Sequence, residues 1–184
     1  MSRLGDLISN ISTVSDWELS NKEKGEKIDF FAKNIALNSS INVLLYNYMN
    51  GLYNDIHSKK FLKDLFNGLV MSAVSMIVVK SSRPASGREH NTSHALDRLG
   101  SKEIHSLQVG FSTLLTLYLH KKFDILQDLM NLYKYFEFPT SFYQLKFSEE
   151  DFIKVLKTVS TIGDRYTILN EFSLDKFQEL QKRL

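Results

Sequence analysis

Apolar residues recur three and four positions apart along most of the 184-residue chain, which is the period of a helix buried on one face. No segment shows the strict alternation of a half-buried strand, and there is no internal repeat. We therefore predict an all-α fold, a multi-helix bundle, with residues 1–184 forming one domain. The predicted helices cover residues 5–14, 25–37, 40–53, 59–80, 102–120 and 123–136, and two more begin at Ser148 and Ser173.

One further helix is predicted between a proline-containing loop and a glycine. Pro84 disfavours helix at the residue before it, so residues 81–86 are expected to form a loop. Ser86 is then the predicted N-cap, with Glu89 three residues later as in a capping box. The helix is expected to end near Gly100, a residue suited to a C-cap.

Composition narrows the possible functions. The net charge is +2, with 43% hydrophobic and 24% charged residues. These values are typical of a globular protein and give no reason to expect a nucleic-acid partner. The chain has no cysteine, which excludes thiolate chemistry and disulfides.

The most apolar run, residues 69–79, is about half of the roughly 20 residues that span a bilayer, so we expect a buried helix there. The first residues lack the apolar core of a signal peptide. The expected location is therefore the cytoplasm, with no membrane span. The sequence also contains no glycine-rich nucleotide fingerprint, neither GxGxxG nor a P-loop.

Candidate chemistry is concentrated in the histidines, four of which lie between positions 90 and 120. His90 and His94 are four residues apart and project from one face of a helix. His105 follows after enough chain for a turn to bring it back toward them. Imidazole suits zinc, nickel and iron, and three protein ligands with an open position are typical of a catalytic metal. The alternative is one exposed histidine and one hydrogen-bonded histidine in the core.

Spacing does not show which carboxylate would complete such a site. Asp6 is a candidate, because Gly5 permits close approach of the backbone and Asp6 would begin a helix. Its alternative role is that of a charge or cap at a helix N-terminus. Glu89 is a second nearby carboxylate, with a purely capping role as its alternative.

Other charged and titratable side chains carry weaker indications. Arg83 and Arg88 flank a helix start, where anions are favoured. They are candidates for holding a substrate phosphate, with ordinary surface arginines as the alternative. His57 and His120 lie in polar surroundings and are expected to face solvent.

Three stretches together resemble one enzyme family. The pattern SRPASGxEHxxSH from Ser82 to His94 resembles the signature of glycerol-1-phosphate dehydrogenases, which belong with the iron-containing alcohol dehydrogenases, glycerol dehydrogenases and dehydroquinate synthases. LGDLIS from Leu4, followed by Asp16 and Trp17, resembles the start of that family's helical domain, and DRYTIL from Asp164 resembles its closing motif. The resemblance extends from residue 1 to about residue 169.

The resemblance implies a set of roles. Asp6, His90 and His105 would be ligands of a divalent metal, zinc or else nickel or iron, and His94 an active-site histidine beside the metal. The family uses NAD(P)H to reduce dihydroxyacetone phosphate, a small phosphorylated substrate, to sn-glycerol 1-phosphate. The metal would polarise the carbonyl that receives the hydride.

The chain also departs from the family. Ser106 and Leu107 follow His105 where the family usually has a glycine and an acidic residue, which is expected to weaken the orientation of His105. Arg88 stands where a small residue is common, and could alter the pocket.

The family's nucleotide-binding domain has no counterpart in this sequence. One hypothesis is therefore the metal-binding half of such an enzyme, completed by a separate nucleotide-binding chain. The others are a non-catalytic helical remnant or interaction module, a stand-alone metal hydrolase, and a dehydrogenase for another polyol or sugar phosphate. A homo-oligomer is compatible with each of them.

Overall fold

The computed structural model describes residues 3–41, 51, 57–159 and 162–171. Within these residues the structure is helical and contains no strand, which confirms the predicted all-α class. The α-helices are α1 Leu4–Ile8, α2 Asn10–Lys24, α3 Phe30–Ser40, α4 Lys59–Val79, α5 Arg88–Arg98, α6 His105–Leu119, α7 Phe123–Tyr135 and α8 Glu149–Val159, with short 3-10 helices at Phe142–Leu145 and Ile168–Glu171.

Helix α6 is the centre of the bundle, with α1, α5 and α7 packed around it. Most of its residues are buried, including Phe111, Leu114 and Leu117. A helix that is apolar on most sides requires partners on most sides. Gly110 permits close packing against α6, because a Cβ atom there would overlap the ring of Phe138.

Helix α1 lies directly against the start of α6, and Gly5 makes this possible. A Cβ atom on Gly5 would overlap the carbonyl oxygen of Ser106. The predicted role of Gly5, close approach of the backbone, is therefore confirmed. Asp6, the next residue, lies in the first turn of α1 and is carried to the N-terminal end of α6.

Several predicted boundaries change. The first helix does not end near residue 14: after Ser9, α2 continues to Lys24 and buries Trp17. Gly25 then ends α2 with a φ of 70°, so α3 begins only after Asp29, whose side chain accepts a hydrogen bond from the Ala32 N–H. The predicted helices at 40–53 and from Ser173 lie almost wholly outside the described residues.

Helix α4 is one long helix, as predicted, but the expectation that residues 69–79 are buried is wrong. Ile77 is 73% exposed, and Phe66, one turn before the run, is 65% exposed. In the first part of α4 the buried residues are Phe61 and Leu65, but from Gly68 onward they are the small residues Gly68, Ser72 and Ser75. The large apolar side chains of this later part are therefore not fully buried. By length and composition alone, α4 could cross a membrane, which is weak evidence for a span when one helix is concerned.

The expectation that His120 faces solvent is also wrong. Its side chain is 9% exposed, and its Nε2 atom lies 2.9 Å from Oδ1 of the buried Asp16. The same oxygen accepts a hydrogen bond from the backbone N–H of Ile168 at 2.9 Å. The polar neighbours of His120 in sequence could not reveal a partner in α2. His57 is exposed, as predicted.

Candidate metal centre

Three helices bring Asp6, His90 and His105 together. Asp6 lies in α1, His90 in α5, and His105 is the first residue of α6. One possible ligand atom from each residue lies within 4.8 Å of the other two. Nε2 of His105 is 4.0 Å from Oδ1 of Asp6. These are the three residues for which the family resemblance implied a ligand role.

The Asp6 carboxylate fits a cation at this position. Its Oδ1 atom is buried and has no hydrogen-bond partner among the described residues. Its other oxygen accepts from Nη1 of Arg3 at 3.3 Å. An unpartnered buried carboxylate oxygen is costly unless something satisfies it. Two imidazole nitrogens and one carboxylate oxygen are a donor set that suits zinc and other first-row divalent ions.

His90 is oriented by the residue before it. Its Nδ1 atom lies 2.9 Å from Oε1 of Glu89, and Glu89 is fully buried. Oε1 of Glu89 also accepts hydrogen bonds from the Thr13 hydroxyl and the Gly87 N–H, each at 2.7 Å. With Nδ1 of His90 committed to Glu89, Nε2 is the nitrogen available as a ligand.

The predicted cap of α5 requires a correction. Gly87, not Ser86, is the N-cap residue, and no side chain caps this helix in the way Ser86 was expected to. The carboxylate of Glu89 supplies only its half of a capping box, by accepting from the Gly87 N–H. Glu89 therefore joins the helix start to the candidate ligand His90.

Burial and the Glu89–His90 contact shift both pKa values. Burial alone would lower the pKa of His90, but the hydrogen bond to Glu89 and its negative charge outweigh burial and raise that pKa above its ordinary value. Burial would likewise raise the pKa of Glu89, but its bonds to His90, Thr13 and Gly87 lower it. Without a metal, the contact therefore favours the carboxylate form of Glu89 and the imidazolium form of His90.

His105 has the opposite electrostatic setting. Burial, and then the positive charge of His90, lower its pKa below the ordinary histidine value. Its Nδ1 atom lies 2.8 Å from the hydroxyl oxygen of Ser93. Ser106 and Leu107 were expected to leave His105 poorly oriented. A hydrogen bond to Ser93, in helix α5, orients its ring instead.

His94 lies beside the cluster rather than in it. Its ring centroid is 5.8 Å from that of His105. The ring centroid of His90, which lies on helix α5 together with His94, is 5.5 Å from that of His105. His94 is exposed. Its position next to the candidate ligands agrees with the place the resemblance implied, and its role in catalysis stays a prediction.

An open pocket of about 410 Å³ adjoins the cluster. Helix α4 provides its apolar wall, and Arg3 adds a positive charge. Sequence reasoning missed Arg3, because a single arginine near the start of the chain belongs to none of the recognised patterns. The pocket is lined by Arg3, Asp6, Leu69, Ser72, Ala73, Met76, Ala85, Ser86, His90 and His105.

Arg83 and Arg88 are internal rather than surface residues, being 2% and 1% exposed. Nε of Arg83 is 3.0 Å from Oε1 of Glu26, and Nη1 of Arg88 donates to the carbonyl of Ile162 at 3.0 Å. Neither lines the pocket beside the cluster. A contact of either with substrate stays a prediction, as does an effect of Arg88 on the substrate pocket.

Together these features define an all-α domain with a two-histidine, one-carboxylate cluster suited to a divalent metal. No family model matches the chain. It is similar to the glycerol-1-phosphate dehydrogenase [NAD(P)+] of Methanococcus maripaludis strain C6, with 35% identity over 98% of this chain and 56% of that protein. Similarity to the enzymes of the same name from Pyrococcus horikoshii and Pyrococcus abyssi is 37% over 91% of this chain and 38% over 94%, covering 47% and 49% of those proteins.

The chain is thus homologous to the glycerol-1-phosphate dehydrogenases over the matched region, which supports the family resemblance inferred from its motifs. It spans about half the length of the curated relatives it matches.

Proposed function

We propose that the chain is the metal-binding half of an NAD(P)-dependent sn-glycerol-1-phosphate dehydrogenase, with one divalent ion held by Asp6, His90 and His105. The observation that carries the proposal is the buried Oδ1 atom of Asp6, which lacks a partner among the described residues and faces two histidines. Zinc is the first candidate ion, and nickel and iron are the others.

The bound metal would supply a Lewis acid that polarises the substrate carbonyl, and NAD(P)H would supply the hydride. The residues of the chain would hold the metal and orient the substrate. Asp6, His90 and His105 fix the metal position at one end of the open pocket. Arg3, at the same pocket, provides a positive charge for a phosphorylated substrate. His94 is exposed beside His105 and is suited to exchanging a proton with the substrate.

The nucleotide would bind to the half of the enzyme that the chain does not match. The relatives are named as NAD(P)+ dehydrogenases, and the chain covers 56% or less of each of the three. Helix α4 favours the presence of a further domain or chain on this side. Its residues Leu69 and Met76 line the open pocket, and Val70 and Ile77 beside them are exposed. A nucleotide-binding domain, in a separate chain or in the same protein, would cover this side.

Two alternatives share features with this proposal. A non-catalytic helical remnant or interaction module would also have an exposed apolar face like that of α4. A dehydrogenase for another polyol or sugar phosphate would share the metal cluster. A homo-oligomer is compatible with all of these functions.

Metal binding can be tested directly. The chain is stripped with a chelator, titrated with zinc, and its stoichiometry and affinity measured by competition with a chromophoric chelator. We expect one ion per chain, and a loss of affinity of at least about tenfold in His90→Ala. His57→Ala, at an exposed histidine, is the matched control and should bind as the parent does. Absence of stoichiometric binding would refute the metal-binding role.

Activity requires the other half. The chain would be fused to the part of the Methanococcus maripaludis enzyme that the match leaves uncovered, and NAD(P)H oxidation followed with dihydroxyacetone phosphate. We expect turnover from the fusion and none from the chain alone. His94→Ala in the fusion should lower turnover and keep the metal. A fusion that binds metal and nucleotide but turns over neither this substrate nor other polyol phosphates would favour the non-catalytic alternative.

A further inference from the structure

We propose that Ser93 and Gln108 are positioning residues that hold His105 in the tautomer with its proton on Nδ1, so that the Nε2 lone pair faces Asp6. The inference deepens the proposed function and rests on it for its purpose, because Nε2 is the nitrogen directed at the metal position. Its evidence is a series of hydrogen bonds, from Gln108 through Ser93 to His105, in which the direction of each link can be assigned.

The series of hydrogen bonds starts at the side-chain amide of Gln108, which is fully buried. Its Nε2 atom lies 3.0 Å from Oδ1 of Asp97, 2.8 Å from Oγ of Ser101 and 3.3 Å from the carbonyl oxygen of Glu103. An ionised carboxylate and a backbone carbonyl can only accept hydrogen bonds. The NH₂ group must therefore face them, and the amide oxygen must face Ser93. The opposite orientation would place oxygen against oxygen at two contacts.

Ser93 passes this constraint on to His105. The Ser93 hydroxyl is fully buried and has one proton, which it donates to Oε1 of Gln108. The hydroxyl oxygen can then only accept from Nδ1 of His105, at 2.8 Å. That nitrogen must carry a proton, because otherwise two lone pairs would face each other.

These hydrogen bonds leave His105 in the tautomer that a metal ligand needs before any metal is bound. In neutral His105 with its proton on Nδ1, Nε2 has a free lone pair and lies 4.0 Å from Oδ1 of Asp6. The groups that hold His105 are a neutral hydroxyl and a neutral amide. The charged group in this series of hydrogen bonds is Asp97, which bonds to the amide. His90, in contrast, is held directly by the carboxylate of Glu89. The two histidines thus present the same nitrogen through different supports.

The tautomer can be measured without a metal. Long-range ¹H–¹⁵N correlation spectra of the metal-free 184-residue chain, recorded at a pH where His105 is neutral, show which ring nitrogen carries the proton. We expect Nδ1 in the parent chain. In Ser93→Ala the proton should shift toward Nε2, and zinc affinity should fall about 10- to 100-fold.

Ser106→Ala is the matched control. Ser106 is next to His105 in sequence, is equally buried, and its hydroxyl has no partner among the described residues. Removing that oxygen should change neither the tautomer nor the zinc affinity. If Ser93→Ala fails to fold, Gln108→Met serves instead, because it frees the Ser93 proton to bond Nδ1 and should drive the ring proton to Nε2.

The outcomes separate this inference from the proposed function. A parent chain with the His105 proton on Nε2, or a Ser93→Ala chain with tautomer and zinc affinity unchanged, would overturn the positioning role. A chain that binds no zinc, yet shows the proton on Nδ1 and loses that preference in Ser93→Ala, would support the hydrogen-bond chain and refute the metal-binding function.

Discussion

Glu89 carries a negative charge in a fully buried position directly beside the candidate ligand His90. Such a charge is tolerated only where several donors compensate it. Four donors lie around it: the hydroxyls of Ser12 and Thr13, the Gly87 N–H and Nδ1 of His90. The same carboxylate therefore begins helix α5 and orients a candidate metal ligand.

The contribution of Glu89 to metal binding can be tested by replacing charge with an amide. Glu89→Gln keeps an oxygen that can accept from Thr13 and Gly87, so the fold should remain. It removes the negative charge that supports His90, and we expect zinc affinity to fall about 10- to 100-fold. Glu149→Gln, at an exposed position at the start of α8, is the control. Equal affinity of both variants would show that Glu89 acts only as a cap.

The raised pKa of His90 predicts how metal binding depends on pH. A histidine with a raised pKa keeps its proton to a higher pH, and the metal must displace that proton. Apparent zinc affinity should therefore rise by about tenfold per pH unit while His90 is protonated, and level off above its pKa. His105, whose pKa is lowered below the ordinary histidine value, loses its proton at a lower pH than His90.

Glu89→Gln provides the control for this pH profile. It removes the hydrogen bond and charge that raise the pKa of His90, so its affinity should level off at a lower pH than that of the parent chain. Zinc competition titrations at a series of pH values would measure both curves. A common midpoint would contradict the assignment of the titration to His90.

At the scale of elements, the contact between α1 and α6 determines whether Asp6 reaches the histidines. The two backbones touch at Gly5, where a Cβ atom would overlap the carbonyl oxygen of Ser106. Backbone cannot rotate away as a side chain can. Asp6 follows Gly5 directly, so the distance between its carboxylate and His105 depends on this contact.

Gly5→Ala should therefore impair both stability and the site. We expect an unfolding free energy lower by about 1–3 kcal/mol or more, because of overpacking, together with weaker zinc binding because Asp6 is pushed away from His105. Urea unfolding and zinc titration would measure the two effects. Gly68→Ala in α4 is the control, because its new methyl group would overlap a side chain, that of Leu7, while the nearest backbone atom, the carbonyl oxygen of Ser39, would lie 3.1 Å away. Full zinc affinity in Gly5→Ala would contradict the proposed dependence.

At the scale of the whole molecule, Asp16 joins parts of the chain that are far apart in sequence. Its buried carboxylate lies 2.9 Å from Nε2 of His120 and accepts from the backbone N–H of Ile168 at 2.9 Å and of Arg88 at 3.4 Å. Helix α2, the start of α5, the end of α6 and the 3-10 helix at Ile168–Glu171 meet at this one side chain.

Removing this carboxylate should destabilise the fold rather than the metal site alone. Asp16→Ala leaves His120 and two buried N–H groups without their acceptor, and we expect a loss of about 3–5 kcal/mol in unfolding free energy. Urea unfolding monitored by circular dichroism would measure it. Asp124→Ala, at an exposed position in the first turn of α7, should cost about 0.3–1 kcal/mol. Similar losses in the two variants would show that Asp16 has no special role.

Features that depend on near neighbours in the chain were predictable. The helical period predicted the all-α class and the full length of α4. The four-residue spacing of His90 and His94 predicted that they share a face, and the glycine at position 5 predicted a close backbone contact. The motif around His90 indicated the family to which the similar proteins belong.

Features that depend on which surfaces meet were not predictable from local pattern. His120 contacts Asp16 and His105 contacts Ser93. Many apolar residues in the later part of α4 are exposed, because small residues form its packed side there. Periodicity states that a residue lies on a face, while burial and hydrogen-bond partners are set by the packing of segments distant in sequence. The chain thus encodes its helices and candidate ligands locally, whereas the arrangement of Asp6, His90 and His105 around one point arises from the packing of α1 and α5 on α6.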